Sequence, residues 1–188
     1  TRLTLKDVKV GENYALIIST NAGLWAYNIG DTVKFLSTDP YRIVVSGRTK
    51  HFISAFGEHV IVEEVESAIL SAAKQESIKL TEFTVAPHIS TDDGKSYHEW
   101  FIEFENIPGD LQAFARKIDD NLRSKNVYYD DLISGNILQT LKITPVKKNG
   151  FVDYMKGIGK LGGQNKVPRL GNDRKIAEGL QPFILQND

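Results

Sequence analysis

The spacing of apolar residues first turns helical near residue 63, and a charged turn sits ahead of the change. Up to Gly47 the apolar residues come in short runs, "ENYALIIST", "TVKFL" and "YRIVVS", punctuated by "NAG", "IGD" and "STDP". Such β-rich runs between turn residues predict a small strand meander with no helix of its own. From about residue 63 the segment "VEEVESAILSAAKQESIK" places Val62, Val65, Ile69, Ala72 and Ala73 near helical spacing, with acids in its first turn. Between the two textures lies "GRTK", Gly47 to Lys50. A change from period 2 to period 3.6 across a charged turn makes that turn a domain boundary rather than a hairpin.

Beyond the boundary the segments "EFTVAPHIS" and "YHEWFIEFE" predict two strands joined by the polar loop "TDDGKS", with His98, Trp100, Ile102 and Phe104 on one face of the second. A helix is expected after Asp110, its N-cap, with Leu111, Phe114, Ala115, Ile118 and Leu122 as its apolar stripe. "ILQTLKITPV" reads as a strand and "GFVDYMKGI" as a short helix. The Gly-rich, basic tail "GIGKLGGQNKVPRLGNDRK" is expected to be mobile, with Pro168 stopping regular structure. The predicted fold class is α+β: a small all-β meander over 1–47, a hinge over 48–50, and an α+β sandwich over 51–188. The order in the last part is β-α-β-β-α-β-α, with a mixed or antiparallel sheet and helices on one face.

Composition narrows the chemistry. A formal net charge of −1 argues against a nucleic-acid or anionic-membrane partner, and the absence of cysteine excludes disulfides, thiolate catalysis and cysteine zinc sites. No apolar run approaches the roughly 20 residues needed to span a bilayer. The chain opens at Thr1 with no Met and no leader; it is expected to be part of something longer, with the cytoplasm as its default location. The four histidines, His51, His59, His88 and His98, do not pair at ligand spacing, so no metal site is expected.

Several polar residues could carry chemistry. Asp31, after Gly30 at a strand turn, could accept two hydrogen bonds from the vicinal hydroxyls of a sugar, or simply hold its own turn. Arg48 could grip a ribose or phosphate, or make a surface ion pair. Lys50 could be a hinge residue or a solvated lysine. In the tail, Lys160, Lys166 and Arg169 could meet a polyanion or belong to a frayed end. "GIGKLGG" is not a P-loop, because Leu161 follows the lysine where Ser or Thr is needed. No G-x-S-x-G elbow is present.

Taken together, "YNIGD" and then "GRTKHFISAFGEHVIVEEVE" resemble the late core motifs of adenylate-forming enzymes. Gly47, Arg48, Lys50, Ile53, Gly57, Val60, Glu64, Val65 and Glu66 fall in register with them without a gap. "STNAGLWAYNIGD" and the far end, "ISGNILQTLKITPVKKNGFVDYMKGIGKLGGQNKVPRL", are similar to the plant auxin-responsive acyl acid-amido synthetases, with this chain a bacterial-type relative covering only their C-terminal portion. The meander would then be the β-rich remnant of a large adenylation domain.

The resemblance implies a two-step ligase that uses ATP with Mg2+, held mainly by the absent N-terminal region. A small carboxylic acid and an amino acid would be its other substrates. Asp31 would bind the ribose hydroxyls with Arg48 in support, Tyr27 would pack near the nucleotide, and Ser19, Thr20, Ala22 and Gly23 would line the nucleotide or acyl pocket. Lys50 would mark the hinge of a rotating C-terminal domain. Lys166, in "QNKVPR", would be the adenylating lysine, preferred over Lys160 because Pro-Arg follows it. Three positions depart from the plant pattern: Ala26 and Asn28 replace arginines, and His59 replaces a lysine. Thioester formation with coenzyme A and a non-catalytic binding relative are the alternatives, and the fragment alone is expected to be inactive.

Overall fold

The computed structural model describes residues 2–48, 52–90, 95–160, 162 and 166–185, with the backbone alone at Arg48 and Phe52. The chain divides into two units, Thr1–His51 and Phe52–Asp188.

The first unit is a three-stranded antiparallel meander of β1 (Asn13–Ile18), β2 (Tyr27–Thr38) and β3 (Tyr41–Arg48), preceded by one 3-10 turn at Leu5–Asp7. Exposure alternates residue by residue along β1, as a strand with one covered face requires. The buried apolar side chains described here are Val33 and Phe35. Phe35 meets the rings of Tyr14 and Tyr41 edge-on, at 5.7 and 6.1 Å. The ladder is broken near its end. Between Ala15↔Thr32 and Ile17↔Asn28 one residue of β1 faces three of β2, and Gly30, at φ +83°, lies in that bulge beside Asp31. A second irregularity in β3 falls between Thr32↔Gly47 and Val33↔Val45. Bulges of this kind re-aim side chains at strand ends.

In the second unit, β4 (Phe52–Ile53) and β5 (Val60–Ile61) form a two-stranded pair that leads into α1 (Val62–Glu76). The main sheet has the order β6-β7-β8, from Leu80–His88, Tyr97–Phe104 and Gln139–Val146. β6 and β7 are antiparallel, whereas β7 and β8 are parallel, so the sheet is mixed. Helix α2 (Leu111–Arg123) starts at the predicted cap, Asp110 Oδ1 accepting from the Ala113 N–H at 2.8 Å. Its buried residues are Phe114, Ala115, Ile118, Asp119 and Leu122. On α1 the buried face is Val65, Ala68, Ile69, Ala72 and Ala73. These two helices cover the sheet face that carries Phe83, Val85, Trp100, Ile102 and Leu141.

Three features differ from the sequence expectation. Helices cover both sheet faces, not one: Phe101, Ala86 and Val146, on the opposite pleat, pack against α4 (Gly150–Gly157) and α5 (Lys175–Leu180). Two helices are unpredicted, α5 and α3 (Val127–Ser134), the latter capped by Asn126 and burying Tyr129 completely. The eight residues of α3 are too few for a clear helical period, and the paired tyrosines favour strand. Finally, the tail is packed from residue 167 on. Val167 and Leu170 are buried, Leu170 bridges Val85 at the β6 edge, and Ile184 bridges Val146 at the β8 edge. Buried apolar contacts of this kind override a Gly-rich local composition. No helix among the described residues is long and apolar enough to cross a membrane.

Candidate functional site

The sequence-predicted residues fall into two groups, one in each unit. In the first, Asp31 on β2 lies directly opposite Arg48 on β3, and the next pair inward is Thr32 opposite Gly47. The two residues proposed to share a ribose are thus cross-strand neighbours, where side chains start only about 5 Å apart. Asp31 is half-buried. At Gly47 an added Cβ would stand 3.3 Å from Thr32 Oγ1, which also takes part in a 3.2 Å hydrogen bond with Ser46 Oγ. A side chain there would press on the β2 strand that carries Asp31.

The other nucleotide candidates gather in the β1–β2 connection. The Thr20 N–H donates to the Leu24 carbonyl at 2.9 Å, and Gly23, at φ +96°, donates back to the Thr20 carbonyl at 3.3 Å, with Ala22 inside the turn. Ser19 Oγ accepts from the Ala26 N–H at 3.0 Å. Tyr27 opens β2 opposite Ile18 and is about half exposed. Two departures from the plant pattern have local roles here. Ala26 takes φ +49° at the end of the connection, and Asn28 Oδ1 accepts from the Gly30 N–H at 2.9 Å. Asn28 therefore holds the bulge that sets Asp31.

In the second unit a tight loop runs from Ser54 to His59. Gly57 adopts φ +93° and donates to the Ser54 carbonyl, while His59, at φ +46°, has its Nδ1 3.1 Å from Ser54 Oγ. His59 thus lies within the loop that follows the predicted hinge. Lys50, the hinge candidate, lies outside the described residues.

Glu58, next to His59, is the residue sequence reasoning missed. Glu58 is fully buried, 2.9 Å from Nε2 of the equally buried His98, and its other oxygen accepts from the Phe56 N–H at 2.8 Å. Burial pushes the Glu58 carboxyl up. The hydrogen bond and charge of His98, with the backbone N–H groups, outweigh burial and hold it below the ordinary glutamate range. Beside this pair the Tyr129 hydroxyl donates to Asp119 Oδ1 at 2.6 Å, and the His98 and Tyr129 rings are 5.3 Å apart. Burial is the main reason the Asp119 carboxyl is raised and the Tyr129 hydroxyl raised well above its usual value.

Lys166 is exposed, at the start of a strap that crosses the β6 edge. Lys160 follows α4, its N–H capping the Met155 carbonyl at 2.9 Å, and is also exposed. Arg169, noted in the tail only as a basic residue, is part-buried and held by several partners. Its Nε donates to Glu66 at 3.2 Å, it pairs with Glu82, and Nη1 donates to the Phe83 carbonyl at 3.1 Å. The guanidinium also lies 4.5 Å from the centre of the Phe83 ring. An open groove of about 410 Å3 between α2 and β8, lined by Leu111, Ala115, Arg116 and Lys142 among others, contains none of the predicted site residues.

The arrangement offers an acceptor-only carboxylate facing a guanidinium-bearing residue across a bulged ladder, and in the other unit an exposed lysine on an anchored strap. Comparison with known proteins shows which family shares this sequence and fold. The indole-3-acetic acid-amido synthetase GH3.3 of Arabidopsis thaliana is 28% identical over 96% of this chain, and the jasmonoyl–L-amino acid synthetase JAR6 of Nicotiana attenuata is 27% identical over 88%. The chain spans about a third of the length of the curated relatives it matches, 32% and 30% in these two. The solved GH3.15 acyl acid amido synthetase shares the fold, with a TM-score of 0.75 at 19% identity over 98% of this chain and 36% of its own. The GH3 family central domain matches residues 1–48 and the GH3 family C-terminal domain matches residues 63–175. The resemblance seen in the motifs is borne out, and this chain belongs to the GH3 family.

Proposed function

We propose that this chain is the C-terminal part of an ATP-dependent acid–amino acid ligase. In the first half-reaction a carboxylate oxygen attacks the α-phosphorus of ATP, pyrophosphate leaves, and an acyl-adenylate forms. In the second an amino acid's amine attacks the acyl carbon, AMP leaves, and the nitrogen loses a proton as the amide forms. AMP departs far more readily than hydroxide, so the protein's task is positioning and charge stabilisation around the α-phosphate.

The observation that carries this reading is the cross-strand opposition of Asp31 and Arg48 in a chain of this family. Asp31 accepts from the ribose hydroxyls and Arg48 supports it, with Tyr27 and the Ser19, Thr20, Ala22 and Gly23 connection beside the nucleotide. Lys166 reaches the reacting phosphate during adenylation, and Lys50 is the hinge between 1–47 and 51–188. ATP with Mg2+ is the co-substrate, and a small carboxylic acid and an amino acid complete the set. No group of three or more potential ligands among the described residues is clustered for a metal, so this reading gives the ion's ligands to the parent protein's N-terminal region. The reaction is assigned to the cytoplasm.

The test is carboxylate-dependent ATP–pyrophosphate exchange by the full-length protein across a panel of acids, followed by an amino-acid screen for amide. Exchange and amide are expected from the whole protein and neither from this chain alone. Lys166→Ala should slow exchange by at least about tenfold. Exchange with no acid would point to a non-catalytic relative, and a coenzyme A product without amide to a thioester ligase. Unchanged exchange in Lys166→Ala would pass the role to Lys160 or to no lysine.

A further inference from the structure

Lys166 is exposed, yet the chain just after it is among the best-anchored segments of the second unit. Val167 sits in the cluster formed with Phe151 and Met155, and three residues on Leu170 enters the cluster on the other face of the sheet. Between them the backbone joins the free edge of β6. The Val85 N–H donates to the Arg169 carbonyl at 2.9 Å, and the Gly171 N–H to the Val85 carbonyl at 3.0 Å. Buried Thr84 donates its hydroxyl to the Pro168 carbonyl at 2.7 Å. Asn172 Oδ1 then accepts from the Ser54 N–H at 2.9 Å, and Arg174 reaches Glu99 at 2.7 Å and the Pro87 carbonyl at 3.0 Å. The strap over 166–174 therefore spans from the lysine to the loop that follows residue 51.

Arg169 lies at the centre of this anchoring. Its planar fork joins Glu66 on α1, Glu82 and the Phe83 carbonyl on β6, and lies over the Phe83 ring, itself stacked on Trp100 at 5.8 Å. A lysine could supply one charge here but neither the fork nor the flat stack. The same side chain would look purely structural were it not three residues from an exposed lysine. A long, solvated lysine makes many conformers, and a fixed base restricts which of them reach a given point.

We propose that Arg169 is a positioning residue for the adenylation half-reaction. By clamping the strap to α1 and β6 it presents Lys166 from a fixed base, and the Thr84–Pro168 bond is a second clamp of the same kind. This inference rests on the reading that Lys166 serves adenylation.

The experiment uses the full-length protein with Arg169→Ala, Arg169→Lys, Thr84→Val, Lys166→Ala and the Lys166→Ala/Arg169→Ala double variant. Two rates are measured separately: ATP–pyrophosphate exchange with a carboxylic acid the wild type accepts, and amide formation from the synthetic acyl-adenylate and an amino acid. Arg169→Ala should lower kcat of exchange about 10- to 100-fold. Its KM for ATP and its rate from preformed adenylate should stay within about twofold of wild type. Arg169→Lys should restore little, and the double variant should be no slower than Lys166→Ala. Equal losses in both half-reactions, or multiplicative losses in the double variant, would make Arg169 a structural residue and overturn the proposal. Should Arg169→Ala fail to fold, Thr84→Val must show the same selective loss, smaller in size, and an unaffected exchange rate there overturns it too. If Lys166→Ala slows exchange and Arg169→Ala does not, this inference alone falls. If Lys166→Ala leaves exchange intact, the assignment of Lys166 falls and takes this one with it.

Discussion

The two units use the same kinds of apolar residue to different effect. In the meander the described side chains that become buried are Val33 and Phe35, while Trp25, Tyr27, Ile43, Val44 and Val45 stay exposed, Trp25 at 88%. In the second unit the sheet is covered on both faces, and Trp100, Phe101 and Ile102, three successive residues of β7, are all fully buried. A sheet buries one face per covering layer. Without a helix the meander has no layer of its own, whereas α1 and α2 on one side and α4 and α5 on the other complete the second unit. The difference teaches that the second unit carries its own core, whereas the proposed ribose site stands on a sheet that leaves much of its apolar surface exposed.

The largest effect is expected when the units are separated. Residues 52–188 alone should unfold in one cooperative transition, and residues 1–51 alone should show no dispersed amide spectrum, since a lone small sheet is marginal in water. A cooperatively folded 1–51 fragment would break the comparison. The chain's two tryptophans sharpen it, one in each unit. With Trp25→Phe, emission should move to the blue and report unfolding of the second unit through Trp100 alone. Next in size, Trp100→Ala should cost about 3 to 5 kcal/mol by chemical denaturation, from lost transfer energy and the cavity left behind. A cost below about 1 kcal/mol would mean that this core is looser than its burial implies.

Smaller effects come from the polar groups inside the second unit. Tyr129→Phe removes the donor to buried Asp119 and should destabilise by about 1 to 3 kcal/mol, seen as a lowered denaturation midpoint. The smallest effect is a pH slope. Glu58 titrates lower in the folded chain than its ordinary value of 4.5, so the stability it contributes is full above that value and is lost as pH falls through the lower, folded value. Asp119 runs the other way. Its folded value is raised, so stability falls as pH rises from its ordinary 3.8 through that raised value. Glu58→Gln should therefore flatten the loss of stability below pH 4.5, and Asp119→Asn should remove the opposing slope. An unchanged acid limb in Glu58→Gln would show that the pair with His98 contributes nothing to it.

The legible features have local signals: Gly47-Arg48 in "GRTK" ends β3, and Asp110 caps α2 as its position before the stripe predicts. Gly30-Asp31 in "YNIGD", read as a strand turn, lies instead inside β2 at a bulge, because the glycine's positive φ kinks the ladder without ending it. Helix α3 had one readable signal, the Asn126 cap, and too few residues beside it for a period. The tail over 167–175 was misread because its glycine and charges outnumber its two buried apolar side chains, Val167 and Leu170.

The sequence by itself determined the change of texture at Gly47 to Lys50, the α+β class, the main strands and the two long helices. Each follows from residues within a turn or two of one another, where spacing alone decides which side chains share a face. Only the tertiary structure decided that Glu58 meets His98, 40 residues away, and that Arg169 meets Glu66 at a separation of 103. A charged residue read alone is assigned to solvent, because burial without a partner is costly. The partner that makes burial tolerable is supplied by the fold, and no local pattern in the chain announces it.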